Sequence, residues 1–263
     1  MDKMCIRDSV WADENVLLHG TTIHGRQPRF PAIRDVPTSY YHETGPVGDF
    51  MTKRKLRDDA KVGVVGLGVG TLLAYSRSGQ EWTVFEIDPE VVKVAGDRRF
   101  FTYLSNAKGQ VQIVLGDARI SLKKSNRLYD ALLLDAYSSD AVPVHLMTLE
   151  AVETYVDRLA PGGFIAFHIS NRYMDLGPVL ASIGTRLGLD VRRRDDSVMN
   201  QFLWPGKSGS HWVLLSRGPS DIAPLDQDPQ WVKSPPTSRA LWTDDRSSIL
   251  DVLKDSPWFV GSD

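Results

Sequence analysis

Short apolar runs alternate with longer mixed segments between residues 62 and 169. Each run has the length of a buried strand, and the segments between runs have room for a helix. The runs are 62–65, 82–87, 111–115, 129–134 and 164–169. Strands that alternate with helices form a parallel sheet covered on both faces, so the pattern predicts an α/β fold with a doubly wound sheet.

Between the last two runs, the apolar residues fall on one face of a helix that spans residues 145–160. They follow at steps of three, three, four and three: Leu146, Leu149, Val152, Val156 and Leu159. The segment Pro161-Gly162-Gly163 is expected to end this helix. Residues 71–75 are typical of the first turns of another helix, and 190–194 and 211–217 predict two later strands.

The flanking segments differ in composition. Residues 16–50 are rich in glycine, proline, threonine and aromatic residues, which predicts short hairpin strands. Residues 219–236 contain five prolines and predict a connector, and Thr243-Asp244-Asp245 predicts the N-cap of a short C-terminal helix. We therefore predict four regions. They are an unassigned segment (1–15), a small β-hairpin domain (16–55), a Rossmann-like domain (56–218) and a connector with a C-terminal helix (219–263).

Charge, cysteine content and hydropathy limit the classes of partner and the cell compartment that we expect. The 263 residues include 31 Lys and Arg against 33 Asp and Glu, a net charge of −2, which argues against nucleic acid or an anionic membrane as the main partner. A single cysteine, Cys5, cannot form an internal disulfide, so we expect a reducing compartment and a cytoplasmic protein. The longest apolar stretch, 62–75, is shorter than the roughly 20 residues of a membrane span, and no signal peptide is visible.

The remaining polar and aromatic residues predict structural roles. The six histidines show no metal-ligand spacing, so no metal site is expected. His168 lies in an apolar run and is interpreted as a core histidine rather than a catalyst. The basic runs 192–194 and 53–55 are interpreted as solvated faces. Phe202 and Trp204 are interpreted as packing residues, with a substrate wall as the alternative.

A glycine cluster, 66–70, lies between the first predicted strand and the following helical segment. Glycines are needed there because the chain turns sharply and a ligand can approach the backbone. Thr71 occupies the position of the third glycine in a dinucleotide fingerprint, so the loop favours the G-x-G-x-G pattern of S-adenosylmethionine-type folds, with Gly66, Gly68 and Gly70 at the ligand. The alternative is a tight turn without a ligand.

Two acidic residues follow the next two strands. Glu86 ends the run 82–87, where its carboxylate can accept hydrogen bonds from both ribose hydroxyls. Asp117, next to Ala118, ends the following strand, where it can accept one from an adenine amino group. Either acid alone could be a solvated loop residue. The glycine loop and both acids together predict a ligand that contains adenosine.

Asp135 and Asp140 follow the fourth strand, five residues apart. The carboxyl ends of the strands in an open α/β sheet face the ligand crevice, so the two carboxylates are expected to converge there. For Asp140, the alternative is that it caps the helix that begins near His145.

Several segments together resemble the spermidine synthase (polyamine aminopropyltransferase) family, in its branch often fused to a membrane transporter-like half. The similarity extends over roughly residues 16 to 254. It rests on five segments: 19–27, 40–42, the glycine loop with 86–88, 134–140 and 242–245. The resemblance implies a β domain before a methyltransferase-like Rossmann domain, and a homodimer. It also implies a sulfonium nucleoside, S-adenosylmethionine or its decarboxylated form, as co-substrate and a small amine as acceptor.

The resemblance also implies roles for individual residues. Asp135 or Asp140 becomes the general base that takes the proton of the amine. Tyr41 and His42 line the pocket, and Gln27 contacts the nucleoside.

Two departures from the family pattern leave the donor open. Val69 stands where the family loop has an aspartate that contacts the amino group of the donor tail, and two residues are inserted after Asp135. Val69→Asp is therefore expected to raise affinity for the decarboxylated donor. The alternatives are an enzyme that uses S-adenosylmethionine itself, as a methyltransferase, aminocarboxypropyl transferase or lyase, and a non-catalytic nucleoside-binding subunit.

Overall fold

The computed structural model describes residues 4–9, 13–19, 22–136, 143–197, 206–235 and 240–254, which form two sheets. Asp140, Phe202 and Trp204 lie outside the described residues. In chain order the strands are β1 (Met4–Ser9), β2 (Glu14–His19), β3 (Thr22–Pro28), β4 (Lys61–Val65), β5 (Glu81–Glu86), β6 (Gln110–Leu115), β7 (Tyr129–Leu134), β8 (Leu159–His168), β9 (Asp190–Asp196), β10 (Ser210–Ser216) and β11 (Val232–Lys233).

The larger sheet has eight strands in the order β11-β9-β10-β8-β7-β4-β5-β6. Strands β4 to β8 pair in parallel, and β10, β9 and β11 extend the sheet by antiparallel pairing. Four of the five parallel strands begin within one residue of the apolar run that predicts them. The predicted α/β fold with a central sheet is confirmed.

The helices are shorter than their sequence patterns suggest. They are α1 (Pro46–Gly48), which continues as a π-helical segment over Asp49–Lys53, α2 (Pro89–Gly96), α3 (Ala118–Lys124), α4 (Leu149–Asp157) and α5 (Gly177–Arg186). Residues Thr71–Tyr75 form a 3-10 helix rather than the start of a longer helix. It ends because Ser76 is extended and its hydroxyl accepts hydrogen bonds from the backbone of Lys108 and Gly109.

The predicted helix over 145–160 is wrong at both ends. A 3-10 turn covers Val144–Leu146, and α4 starts only after Thr148, whose hydroxyl caps it by accepting from Ala151 N at 3.3 Å. After α4, Leu159 pairs with Tyr129 of β7, while Phe164 pairs with Ala131, so the residues between them form a bulge. Leu159 fits the helical spacing because it is buried. It is buried in strand β8 of the sheet, however, and not on the apolar face of a helix.

The smaller sheet is antiparallel, in the order β1-β2-β3. Strand β1 lies in the segment 1–15, for which the sequence predicts no structure. Its sequence, Met-Cys-Ile-Arg-Asp-Ser, has an apolar half and a polar half rather than the alternation that indicates a strand. The domain boundaries stay a prediction.

Two apolar clusters cover the faces of the central sheet. Leu132 and Leu134 of β7 belong to the cluster under α3, α4 and α5. Ala131 and Leu133 belong to the opposite cluster, which contains Phe50. Successive side chains of a strand point to opposite faces, so β7 is buried on both. The core therefore packs on both faces of the strand that leads into Asp135.

The prediction that the basic runs are solvated is wrong for Arg194. This side chain is 4% exposed and donates to the Asp49 carboxylate, which also accepts from Trp231 Nε1 at 3.0 Å. Lys53 bridges Asp49 and Asp228 at 2.9 and 3.0 Å with about half of its side chain exposed. Arg194 therefore fastens β9 to the N-terminal part of the chain.

The C-terminal segment docks through Asp244 rather than through a capped helix. Residues Ile249–Val252 form a 3-10 helix that starts after Ser248 without a side-chain cap. Asp244, predicted within the cap, instead accepts two hydrogen bonds from Arg119 and one from Thr148, each at 2.7 Å. Across the described ranges, no helix is long and apolar enough to cross a bilayer.

Candidate active site

A cavity of about 590 Å³ opens at the carboxyl ends of the parallel strands. Residues after β4, β5, β6, β7 and β8 all contribute to its wall, which is where ligands bind in open α/β sheets. The cavity brings together seven of the predicted site residues: Tyr41, Gly66, Gly68, Glu86, Asp117, Ala118 and Asp135. Its size is that of a small-molecule site.

The glycine loop follows β4 with Gly66, Gly68 and Gly70 all at positive φ. A Cβ on Gly66 would lie 2.5 Å from the backbone oxygen of Asp135, and one on Gly68 would lie 2.4 Å from that of His24. Only glycine fits such close approaches. Gly66 and Gly68 line the cavity, whereas Gly70 lies outside its lining and precedes the 3-10 helix.

Backbone N–H groups hold Glu86 at the end of β5. One carboxylate oxygen accepts from Leu67 N at 2.8 Å, and the other accepts from Ile87 N and Asp88 N at 2.8 and 2.9 Å. A carboxylate offers about four acceptor positions, so three backbone bonds leave about one for a ligand. Glu86 fixes the glycine loop as well as facing the cavity.

Asp117 joins the start of α3 to the rim of the cavity. One of its oxygens accepts from Ile120 N at 2.8 Å and caps the helix, and the other lies 3.1 Å from His145 Nε2. Its neighbour Ala118 also lines the cavity. The capping bond orients the carboxylate at this edge of the sheet.

Tyr41 reaches Asp135 from the segment before β4. Its hydroxyl donates to Asp135 Oδ2 and lies 3.0 Å from the hydroxyl of Tyr40. Burial raises the pKa of Tyr41 well above its usual value, and the negative charge of Asp135 raises it further. Tyr41 therefore stays protonated at neutral pH and acts as a hydrogen-bond donor to the carboxylate.

His168 is a site residue that the sequence interpretation missed. It is buried, as expected, but it lines the cavity, and its Nδ1 lies 2.6 Å from Asp135 Oδ1. The ring is stacked between Tyr40 and Trp212, with centroid distances of 4.5 and 4.8 Å. A signal was present, because His168 ends the strand parallel to the one that leads into Asp135.

Two other predicted residues are not in the cavity lining. Gln27 is buried, and its amide bonds to the backbone and hydroxyl of Thr102 at 2.7 and 2.9 Å. His42 accepts from Thr44 N at 3.2 Å, and burial lowers its pKa. Gln27 thus ties β3 to the segment after α2, and His42 bonds to its own loop at Thr44.

Val69 points away from the cavity. It is 1% exposed and packs in a small apolar cluster with Leu17, Phe101 and Tyr103. A Cβ added to Gly25 of β3 would lie 2.4 Å from Val69 Cγ2, so the glycine loop and the small sheet fit closely here. An aspartate at residue 69 would be buried in this cluster, which argues against the expected gain in affinity for a decarboxylated donor.

The chain is similar to known proteins in sequence over part of its length and in fold over most of it. No protein-family model matches it. A polyamine aminopropyltransferase from Vibrio vulnificus (strain CMCP6) is 32% identical over 108 residues, which is 39% of this chain and 35% of that protein. The chain therefore matches about a third of the length of this curated relative.

Two solved structures extend the comparison of the fold. A probable spermidine synthase from Corynebacterium glutamicum ATCC 13032 has a TM-score of 0.57 at 15% identity, covering 81% of this chain and 76% of that one. A spermidine synthase in complex with the transition-state analogue AdoDATO has a TM-score of 0.58 at 13% identity, covering 90% and 78%. At such identities the structural likeness shows the fold alone, and it agrees with the predicted Rossmann-like fold.

Proposed function

We propose that this chain transfers an aminopropyl group from decarboxylated S-adenosylmethionine to a small amine, releasing methylthioadenosine. One observation carries the proposal: the carboxylates of Glu86, Asp117 and Asp135 line a single cavity at the carboxyl ends of the sheet, with Tyr41 on Asp135. The Vibrio vulnificus relative is named a polyamine aminopropyltransferase, which is the same class of reaction.

In this proposal, one end of the cavity holds the nucleoside. Gly66 and Gly68 allow the sulfonium compound to lie against the backbone, Glu86 accepts from the ribose, and Asp117 accepts from the adenine amino group. We call these four residues the nucleoside half. The acceptor position still open on Glu86 suits one ribose hydroxyl as the side chains stand, rather than the two expected from the sequence.

The other end holds the amine. We call Tyr41, Asp135 and His168 the amine half. An alkylamine has a pKa of about 10.4, so exposing its lone pair at pH 7 costs about 4–5 kcal/mol. A positioned base typically contributes about 10²- to 10⁴-fold in rate, which offsets most of that cost. The charge of Asp135 also attracts a cationic amine.

The second candidate is an enzyme that uses S-adenosylmethionine with its carboxylate. One observation favours it: the guanidinium-bearing residues Arg26 and Arg172 line the cavity. A guanidinium pairs well with a carboxylate. The reaction would then be methyl transfer, aminocarboxypropyl transfer or a lyase reaction.

Product analysis separates the two candidates. The protein is incubated with each form of the donor and a panel of diamines and polyamines, and the nucleoside product is identified by mass spectrometry. Methylthioadenosine formed only from the decarboxylated donor with an amine supports aminopropyl transfer. S-adenosylhomocysteine indicates a methyltransferase. Binding of the nucleoside without turnover on any amine contradicts both and supports a non-catalytic subunit.

Three finer assignments belong to the same proposal. The segments that carry the resemblance support the branch of the family that is often fused to a membrane transporter-like half. The resemblance to the family supports a homodimer, and the single cysteine supports a cytoplasmic location. Light scattering on the purified chain tests the dimer, since a monomer at micromolar concentration would contradict it.

A further inference from the structure

A serine extends the amine half of the cavity. Ser170 lies two residues beyond β8 and lines the cavity together with His168 and Asp135. Its hydroxyl oxygen is 2.7 Å from His168 Nε2, and His168 Nδ1 is 2.6 Å from Asp135 Oδ1. A carboxylate, an imidazole and a hydroxyl therefore form one continuous chain of hydrogen bonds that ends at the cavity wall.

The chemistry of the three groups fixes the direction of this chain. An ionised carboxylate can only accept, so Nδ1 of His168 carries the hydrogen that faces Asp135. Nε2 is then the basic nitrogen, and it accepts from the hydroxyl of Ser170. The backbone N–H of His211 donates to Ser170 Oγ at 2.9 Å, which leaves the serine hydrogen directed at His168. This is the arrangement of a base with its orienting acid.

The surroundings hold the imidazole in one orientation. Tyr40 and Trp212 stack on its two faces, and its side chain is 5% exposed. Among the described residues, the titratable groups Asp135 and Tyr40 contact the ring, and Tyr41 acts through Asp135. Burial raises the pKa of Tyr40 and Tyr41 well above their usual values, so both remain neutral beside the ring.

We propose that His168, oriented by Asp135 and reached through the hydroxyl of Ser170, is the base that takes the proton of the amine. This inference rests on the proposed function. Asp135 is less suited to act directly, because its two oxygens already accept from Tyr41 and His168 and its side chain is 3% exposed.

The step balances without any further reactant. The ammonium group of the acceptor gives a proton to Ser170 Oγ while the serine hydrogen passes to His168 Nε2, and Asp135 stabilises the imidazolium. The freed nitrogen lone pair then forms the N–C bond as the C–S bond breaks. The electron pair of that bond stays on sulfur, which leaves a neutral thioether and a secondary ammonium product. The imidazolium returns its proton to solvent when the product leaves.

Two variants and one matched control test this assignment on the full chain. His168→Asn keeps a side-chain N–H for Asp135 but has no atom at Nε2, and Ser170→Ala removes only the hydroxyl. Ser182→Ala is the control, because it removes a buried serine hydroxyl of α5 that bonds to Pro178 O outside the cavity lining. For His168→Asn we expect kcat at pH 7 to fall about 10²- to 10⁴-fold, with an unchanged KM for the donor.

The pH profile distinguishes a base from a structural residue. Without a base, turnover depends on the fraction of amine that is already unprotonated. The rate of His168→Asn should therefore rise about tenfold per pH unit from pH 7 to 9, while the native protein and Ser182→Ala level off. A His168→Asn or Ser170→Ala variant with the kcat and pH profile of the native protein overturns the inference and leaves the proposed function intact.

A second measurement reads the hydrogen-bond chain without turnover. If the native protein forms no methylthioadenosine, the proposed function fails. The ¹⁵N chemical shifts of labelled histidine then show separately which ring nitrogen of His168 carries the hydrogen. We expect Nδ1 to be protonated and Nε2 to be unprotonated at neutral pH, with a change at Nε2 in Ser170→Ala. A hydrogen on Nε2 with a bare Nδ1 overturns the inference.

Discussion

The two halves of the cavity hold their carboxylates in different ways. In the nucleoside half, Glu86 accepts from three backbone N–H groups, two of them from the residues that follow it directly. In the amine half, Asp135 accepts from the side chains of Tyr41 and His168, which are 94 and 33 residues away. The first arrangement is largely local to two loops, whereas the second forms only when three distant segments have packed.

This difference has a consequence for substitutions. Backbone donors remain when a side chain in the neighbourhood changes, so the geometry around Glu86 depends mainly on its own carboxylate. The position of Asp135 depends on other side chains, so several single changes can disturb it. We expect changes in the amine half to act on turnover and changes in the nucleoside half to act on affinity.

The largest effect is expected for Asp135→Asn. The amide cannot stabilise a cation or take a proton, so kcat should fall about 10²- to 10⁴-fold. Calorimetry with methylthioadenosine should show nucleoside affinity close to that of the native protein. Asp157→Asn, a change of an exposed carboxylate at the end of α4, is the matched control. Near-native turnover of Asp135→Asn would mean that this carboxylate has no part in the chemistry.

The next largest effect is expected for Val69→Asp. This change should lower the stability of the fold rather than alter the choice of donor. A carboxylate buried in the cluster of Leu17, Phe101 and Tyr103 should lower the free energy of unfolding by about 3 kcal/mol or more. Val69→Ala, which only removes packing, should cost about 1–2 kcal/mol.

The penalty for Val69→Asp should also depend on pH. Burial favours the neutral form of the introduced carboxyl, so its pKa in the folded state is raised and part of the lost stability returns as pH falls. Urea unfolding at pH 5 and pH 8 measures both effects. Tighter binding of the decarboxylated donor without loss of stability would show that residue 69 faces the cavity.

A smaller effect is expected for Glu86→Gln. The amide loses the charge and turns one acceptor into a donor beside backbone N–H groups, so affinity for the nucleoside should fall about 10- to 100-fold. The kcat at saturating donor should stay within about threefold of the native value. Glu90→Gln in the first turn of α2 is the control, since its side chain is 63% exposed. A large loss of kcat at unchanged affinity would remove the distinction between the halves.

The sequence predicts those parts of the fold that depend on local pattern. The starts of β4 to β7 follow from apolar runs, and the glycine loop follows from the backbone conformations that Gly66 and Gly68 require. Both carboxylates of the nucleoside half are predictable in the same way, because Glu86 is the last residue of β5 and Asp117 comes two residues after β6. Their placement in one cavity needs only the rule that parallel strands end at the same edge.

What the sequence misses depends on packing between distant segments. An apolar run with one histidine is typical of a core strand, and nothing within 164–169 indicates that His168 bonds to Asp135. Arg194 looks like a surface residue until Asp49 is placed beside it. For Val69, alignment with a motif gives the position of the residue but not the direction of its side chain, which lies in an apolar cluster.

Gly66 lies against the main chain of Asp135, so the proposed nucleoside half and the proposed amine half are in direct contact. A single methyl group on residue 66 would have to push back the peptide that carries Asp135. If the proposed function holds, a nucleoside that displaced the glycine loop toward this peptide would also displace the residue that orients His168.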